Sequence, residues 1–219
     1  MNHDSLLWER ADVAYRETSR TRAKAQHRRA RIEEATRHVI ARGGFASASV
    51  AAVAREAECS TGLIYTYYSN RDELLGTVFA HASRHELAVV TTAIESSTSA
   101  IEIVDALLDV FIRRAVAGRT LAHALLFEEV PDTVQIERRA FRRGYVAAIA
   151  AGLTGRYAVD IPAEVVARSL VGSIVENLVD VLDPARERPS APQVEALTAA
   201  LSTFARTAIG EPRTARGEQ

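Results

Sequence analysis

An all-α chain of about nine helices is predicted by three observations. Apolar residues recur three and four positions apart along the sequence, no segment sustains the alternation of a strand, and the breaks between periodic runs carry helix caps. The first run places Ile32, Ala35, Val39 and Ile40 on one face and stops at Gly43-Gly44. Ser49 then stands as N-cap to a short helix with Val50, Val53, Ala54 and Ala57. A third helix begins at Ser60 and sets Ile64 four residues from Tyr68. Ser69-Asn70 caps a fourth, from about Arg71 into the 90s, with Leu74, Leu75, Val78, Phe79 and Ala82 inward. A Ser/Thr cluster at 96–99 precedes a fifth, which carries Ile101, Val104, Leu107, Leu108, Phe111, Ile112 and Ala115 to near Gly118. The sixth covers Leu121 to Glu129, and Pro131-Asp132 turns the chain into a seventh with Phe141, Tyr145, Ala148 and Ile149 inward. Pro162 opens an eighth that runs to Asp183-Pro184, and a ninth spans about Pro192 to Ile209.

Composition excludes several classes. With 219 residues and 47% hydrophobic content the chain can bury a sizeable core, so it is not disordered throughout. A single cysteine, Cys59, rules out an internal disulfide and a multi-cysteine zinc site. The longest nearly uninterrupted apolar stretch, Val146 to Leu153, is too short to span a bilayer. Asp4, Glu9, Arg10 and Asp12 break up any signal-peptide core. A soluble, cytoplasmic protein without cofactor, metal or membrane partner is therefore expected. The net charge of −1 hides a gradient. Seven basic residues from Arg16 to Arg31 face one acid, Glu17, whereas residues 77–219 hold 15 basic and 18 acidic residues. Such asymmetry assigns an electrostatic task to one end of the chain.

The most specific stretch is residues 44–75. It reads as a short helix, a tight turn at Glu58-Cys59, and a second short helix whose start suits an anion. Ser60 can cap that second helix, and Gly62 leaves room for close backbone approach. Tyr65 and Tyr67 lie on faces other than that of Ile64 and Tyr68, so their hydroxyls can point outward. Two small helices of this kind form a helix-turn-helix whose second helix enters a major groove.

The segment resembles the N-terminal DNA-binding domain of the tetracycline-repressor-like (TetR/AcrR) family of bacterial transcriptional regulators. The family pattern is met by Gly44-Phe45, Ser49, Val53-Ala54, the run Ser60-Thr61-Gly62-Leu63-Ile64-Tyr65-Thr66-Tyr67-Tyr68, and Arg71-Asp72-Glu73-Leu74. One departure is Glu58-Cys59, where the family has Gly-Val and the glycine takes a positive φ. The resemblance implies phosphate contacts from Ser49, Ser60, Tyr65, Tyr67 and Arg71. It also implies base-edge or close backbone contacts from Thr61 and Gly62, with Thr66 as a further candidate. Between Ser60 and Tyr68 there is no Arg, Lys, Asn or Gln, so bidentate reading of purines is not available from this helix. Specificity then leans on thymine methyls, hydroxyls and DNA shape, or on another element.

The domain organisation expected is a basic extension at 1–27, the DNA-binding domain at 28–75, a ligand-binding and dimerisation domain at 76–210, and a polar tail at 211–219. The extension reads equally as a DNA-contacting arm or as a solvated tail or extra helix built on Leu6, Leu7, Trp8, Val13 and Tyr15. The eighth helix is apolar around most of its circumference, which requires partners on more than one side. Self-association is the economical explanation, and the resemblance implies a homodimer through the last two helices of each subunit. Its expected contacts are Val171, Gly172, Val175, Val179, Leu197, Leu201 and Phe204. A ligand cavity is expected among Phe79, Phe111, Leu126, Phe127 and Tyr145, oriented by Glu176 and Asn177.

Three weaker signals have plainer readings. His81 and His85, followed by Glu86, have a metal-compatible spacing but no third ligand, so a polar surface or pocket wall is favoured. Cys59 reads as a small core thiol rather than a redox sensor. Arg138, Arg139, Arg142 and Arg143 read as a solvated, ion-paired stripe. The combined expectation is a non-enzymatic, ligand-responsive transcriptional regulator. It is a repressor that binds a two-fold-symmetric double-stranded operator as a homodimer and is released by a small-molecule effector. The alternative is a helical small-molecule-binding protein or enzyme that does not act on DNA.

Overall fold

Ten helices make up the computed structural model, which describes residues 19–157 and 160–210; among them there is no strand. They are α1 (Ser19–Ser47), α2 (Val50–Glu56), α3 (Thr61–Tyr65), α4 (Arg71–Glu95), α5 (Ala100–Ala117), α6 (Arg119–Phe127), α7 (Asp132–Leu153), α8 (Ala163–Asn177), α9 (Val179–Leu182) and α10 (Ala191–Ile209). The all-α expectation holds. Residues 1–18, with Arg16 and the apolar positions up to Tyr15, and the tail 211–219 lie outside the described residues.

Helix ends follow local chemistry. The side chains of Ser49, Ser60, Asn70 and Ser99 each accept a hydrogen bond from a backbone N–H in the first turn of α2, α3, α4 and α5. Glu73 and Glu102 answer by accepting from the N–H groups of Ser69 and Thr98, which holds both carboxyls below their ordinary range. At Gly43-Gly44 the helical backbone breaks, with Gly44 at φ 71°, and Phe45 turns into the interior.

Two elements differ from the sequence expectation. The first helix begins at Ser19, well before Ile32, so much of the basic run is helical. The expected eighth helix splits at Leu178 into α8 and α9. There the Asn177 side-chain amide donates to Ser173 O at 2.8 Å and competes for a carbonyl of the helical ladder, while the Leu178 N–H tightens onto Val175 O.

Three apolar clusters hold the chain together. One packs Ile32 and Ala35 with Val53, Ala54, Ile64, Tyr68, Leu74 and Val78. A second joins Val39, Ile40 and Phe45 to Leu75 and Phe79 of α4, Ala124 of α6 and Val134 of α7. The third is built from the distal half of α4 with α5, α7, α8 and α10. Helix α4 contributes to all three. Its long contact with α7 is made close by glycines: a Cβ on Gly152 would lie 2.4 Å from Ile94 Cγ2, and one on Gly144 would lie 2.9 Å from Leu87 Cδ2.

Candidate nucleic-acid interface and ligand cavity

The α2–α3 unit, here called the head together with α1, is a helix-turn-helix braced from behind. Arg71, at the start of α4, donates from Nε to Ala48 O at 2.8 Å and from Nη2 to Phe45 O, while Arg31 donates to Ala57 O at 2.8 Å. Arg71 thereby satisfies Ala48 O and adds a second donor to Phe45 O, which also accepts from Ala48 N, and Arg31 satisfies Ala57 O at the end of α2. The turn into α3 places Glu58 at φ 51°, the only non-glycine with positive φ among the described residues. That is the position where the sequence departs from the family pattern. The adjoining Cys59 is half-buried against the head's apolar cluster.

The structure gathers most of the expected DNA-contacting residues on one surface. Ser49, Ser60, Thr61, Gly62, Tyr65 and Thr66 are exposed, and Tyr67 is half-buried. Ser49 and Ser60 accept from Ala52 N and Leu63 N, both at 3.1 Å, which leaves each hydroxyl proton free to donate outward. A Cβ at Gly62 would meet only Ser60 Oγ, at 3.8 Å, so packing within the subunit does not demand glycine there. Two side chains are engaged internally. The Thr66 hydroxyl donates to Leu63 O at 2.6 Å, and the Arg71 guanidinium is held by Phe45 and Ala48.

A cavity of about 470 Å³ lies where the head meets the body, within the size range of small-molecule sites. Phe79, Phe111, Phe141, Tyr145, Leu125 and Leu126 form its apolar walls. The rings run edge to face, with centroids 6.5 Å apart for Phe79–Phe141, 4.7 Å for Phe141–Tyr145 and 5.8 Å for Phe111–Tyr145. Burial raises the pKa of the Tyr145 phenol. Glu33, Arg37, His81, His85, Glu86 and Arg114 form a charged rim. There Arg114 grips Glu86 through Nε at 2.6 Å and Nη2 at 2.5 Å, and the bond raises the guanidinium's pKa.

Two polar ties cross from head to body beside this cavity. Glu33 of α1 pairs with His81 Nδ1 of α4 at 2.6 Å and accepts from the Tyr68 hydroxyl at 2.9 Å. At the end of α6, the Glu128 carboxylate accepts from Phe45 N at 2.7 Å. Gly44 makes room for that carboxylate, because a Cβ there would lie 2.2 Å from Glu128 Oε1. Arg138 closes the end of α6 by donating to Ala124 O and Glu128 O, and burial lowers its pKa. It therefore stands apart from the solvated stripe expected of it, where Arg139, Arg142 and Arg143 are exposed.

Comparison with known proteins bears on the head first. Residues 32–78 match the family described as bacterial regulatory proteins, tetR family. The head belongs to the tetR family. Over 57 residues the chain is 40% identical to the HTH-type transcriptional regulator BetI of Paraburkholderia phytofirmans. That match spans 26% of this chain and 29% of the relative's length. Beyond the tetR-family head the likeness is one of fold. The fatty acid degradation regulator FadR of Bacillus halodurans superposes with a TM-score of 0.69 at 18% identity, covering 85% of this chain and 96% of that one. FadR of Bacillus subtilis, solved in complex with stearoyl-CoA, gives 0.68 at 18% identity over 83% of this chain and 99% of that one. A TetR-family transcriptional regulator from Agrobacterium tumefaciens gives 0.66 at 18% identity, covering 82% and 98%.

The body attached to this tetR-family head places the remaining expected residues unevenly. Phe79, Phe111, Leu126 and Tyr145 line the cavity. Phe127 does not; it packs beside His123, ring centroids 5.8 Å apart. Glu176 and Asn177 are also elsewhere, because α8 turns Val166, Leu170 and Ile174 to the core and leaves these two exposed. Val171 and Leu201 are buried within the subunit, and Val175 and Leu197 pack against the same core. Gly172, Val179 and Phe204 are exposed, with Phe204 at 54%. His81 and His85 line the cavity, in keeping with the pocket-wall reading of that pair, whereas sequence reasoning misses Glu33, Arg37 and Arg114 of the rim. Local spacing cannot reveal these partners, because Glu33 lies 48 residues from His81 and Arg114 lies 28 residues from Glu86.

Proposed function

We propose that this chain is a DNA-binding transcriptional regulator, a repressor that acts as a homodimer and is released by a small apolar effector. The observation that carries the reading is a helix-turn-helix with an exposed, polar second helix, followed in the chain by α4, whose Val78, Phe79 and His81 line an apolar cavity. The tetR-family match over residues 32–78 supports the DNA-binding role, with Ser49, Ser60, Tyr65 and Tyr67 on phosphates and Thr61, Gly62 and Thr66 at base edges. Arg71 serves by positioning the loop that carries Ser49. A fold neighbour that binds stearoyl-CoA supports a largely apolar ligand here. The exposed Val165, Val179 and Phe204, with the exposed Gly172, supply the dimer face on α8–α10.

Each step of release follows from these positions. An effector that spreads the walls of the cavity displaces Phe79 and His81 on α4 and strains the Glu33–His81 tie. The head then shifts relative to α6, against which Glu128 holds Phe45. Release requires the effector to bind the DNA-incompetent arrangement more tightly, since equal affinity for both shifts nothing.

Selection from a pool of randomised duplexes tests the reading. Enrichment of an inverted repeat with half-sites one helical turn, ~34 Å, apart or a multiple of it is expected for a two-headed dimer. Failure to enrich any sequence would sink it.

A further inference from the structure

The basic run at the start of α1 divides into two sets with different tasks. Arg29 and Arg31 are braces. The Arg29 guanidinium lies 5.4 Å from the centre of the Tyr68 ring and donates to its hydroxyl at 3.3 Å, and Arg31 holds Ala57 O on the turn into α3. Lys24 and Arg28 are exposed, and neither has a side-chain partner among the described residues. Helical spacing puts both on the stripe of Arg31, seven and three residues before it. That stripe therefore leads outward from the same turn that presents Ser60, Thr61 and Gly62. At a helical rise of about 1.5 Å per residue, Arg28 lies roughly 5 Å and Lys24 roughly 10 Å past Arg31 along the axis.

Packing does not explain Lys24 or Arg28. Residues 21–31 contain no acid and no apolar residue larger than alanine, and Ile32 is the first buried side chain of α1 among the described residues. Lys24 and Arg28 form a like-charge pair four apart, which opposes the helix unless a polyanion lies alongside. The match to the tetR family begins only at residue 32, so these turns precede the matched segment.

We propose that Lys24 and Arg28 contact phosphates of double-stranded DNA just outside the half-site held by α3, extending the footprint along α1. This rests on the DNA-binding reading above. The test uses the full chain and a duplex long enough for two half-sites, with affinity measured across a salt series. Replacing Lys24 and Arg28 with alanine removes two cations from each chain of the dimer and is expected to lower the slope of log affinity against log salt by about 4, roughly one unit for each phosphate that no longer meets a cation. Between about 50 and 200 mM salt the affinity of the dimeric variant then falls on the order of a hundredfold less than that of the parent. Lys24→Arg with Arg28→Lys is expected to keep the parental slope. Alanine favours the helix, and an unchanged unfolding curve checks that the fold is kept. An unchanged slope with DNA binding intact overturns this inference alone. An equal change on replacing the distant, exposed Arg139 and Arg143 overturns the assignment to α1. Absence of DNA binding by the parent chain overturns the regulator reading and this inference with it.

Discussion

Glu58 shows how much one backbone angle can be read in advance. The sequence pattern requires a positive φ in the turn before α3, and the residue found there at φ 51° has a Cβ that disfavours it. Its carboxylate is 87% exposed and 3.9 Å from Arg31, too solvated to compensate. Glu58→Gly is therefore expected to raise the unfolding free energy by about 0.5–1 kcal/mol, measured by denaturant titration, with Glu58→Ala close to the parent. Arg71 marks the opposite case. Its place at the start of α4 is legible, but its bonds to Ala48 and Phe45 depend on how α4 meets the segment between α1 and α2, which no local pattern encodes. The same is true of Glu33, whose partners Tyr68 and His81 come from other elements.

Helices are legible wherever a cap and an apolar period coincide, as at Ser49, Ser60, Asn70 and Ser99. The signal fails at two places for physical reasons. The start of α1 has no apolar stripe to mark it, only good helix formers such as Ala and Arg, so periodicity places the helix too late. The α8–α9 break depends on one side-chain amide, that of Asn177, within an unbroken apolar run. Packing between helices is less legible still. Nothing local to Gly152 says that α4 comes within contact distance, yet a side chain there would collide with Ile94. Gly152→Ala is expected to destabilise the chain by about 1–3 kcal/mol through overpacking, despite alanine's better helix propensity. A thermal midpoint at or above that of the parent would show that the α4–α7 contact has room for a methyl group.

For the whole molecule, one helix connects the working parts. Leu74 and Val78 of α4 belong to the head cluster, Phe79 to the junction and the cavity wall, and Val90 and Ile94 to the body core. A ligand that moves α4 therefore cannot leave the head where it was, and this follows from packing density rather than from any special pathway. No described helix is long and apolar enough to cross a membrane. The mean charge of the chain, near zero, conceals a basic start and an acidic body, each suited to a different partner.

The most direct test is the binding of duplex DNA by the parent chain and by a variant carrying Tyr65→Phe and Tyr67→Phe. The two substitutions remove hydroxyls alone, so the head cluster and the unfolding curve should be preserved. Binding by the parent with two chains per symmetric duplex, and an affinity at least about tenfold lower for the variant at the same salt, is the predicted result. Equal affinity of parent and variant on that duplex would contradict the assignment of this face of the helix-turn-helix to the DNA backbone.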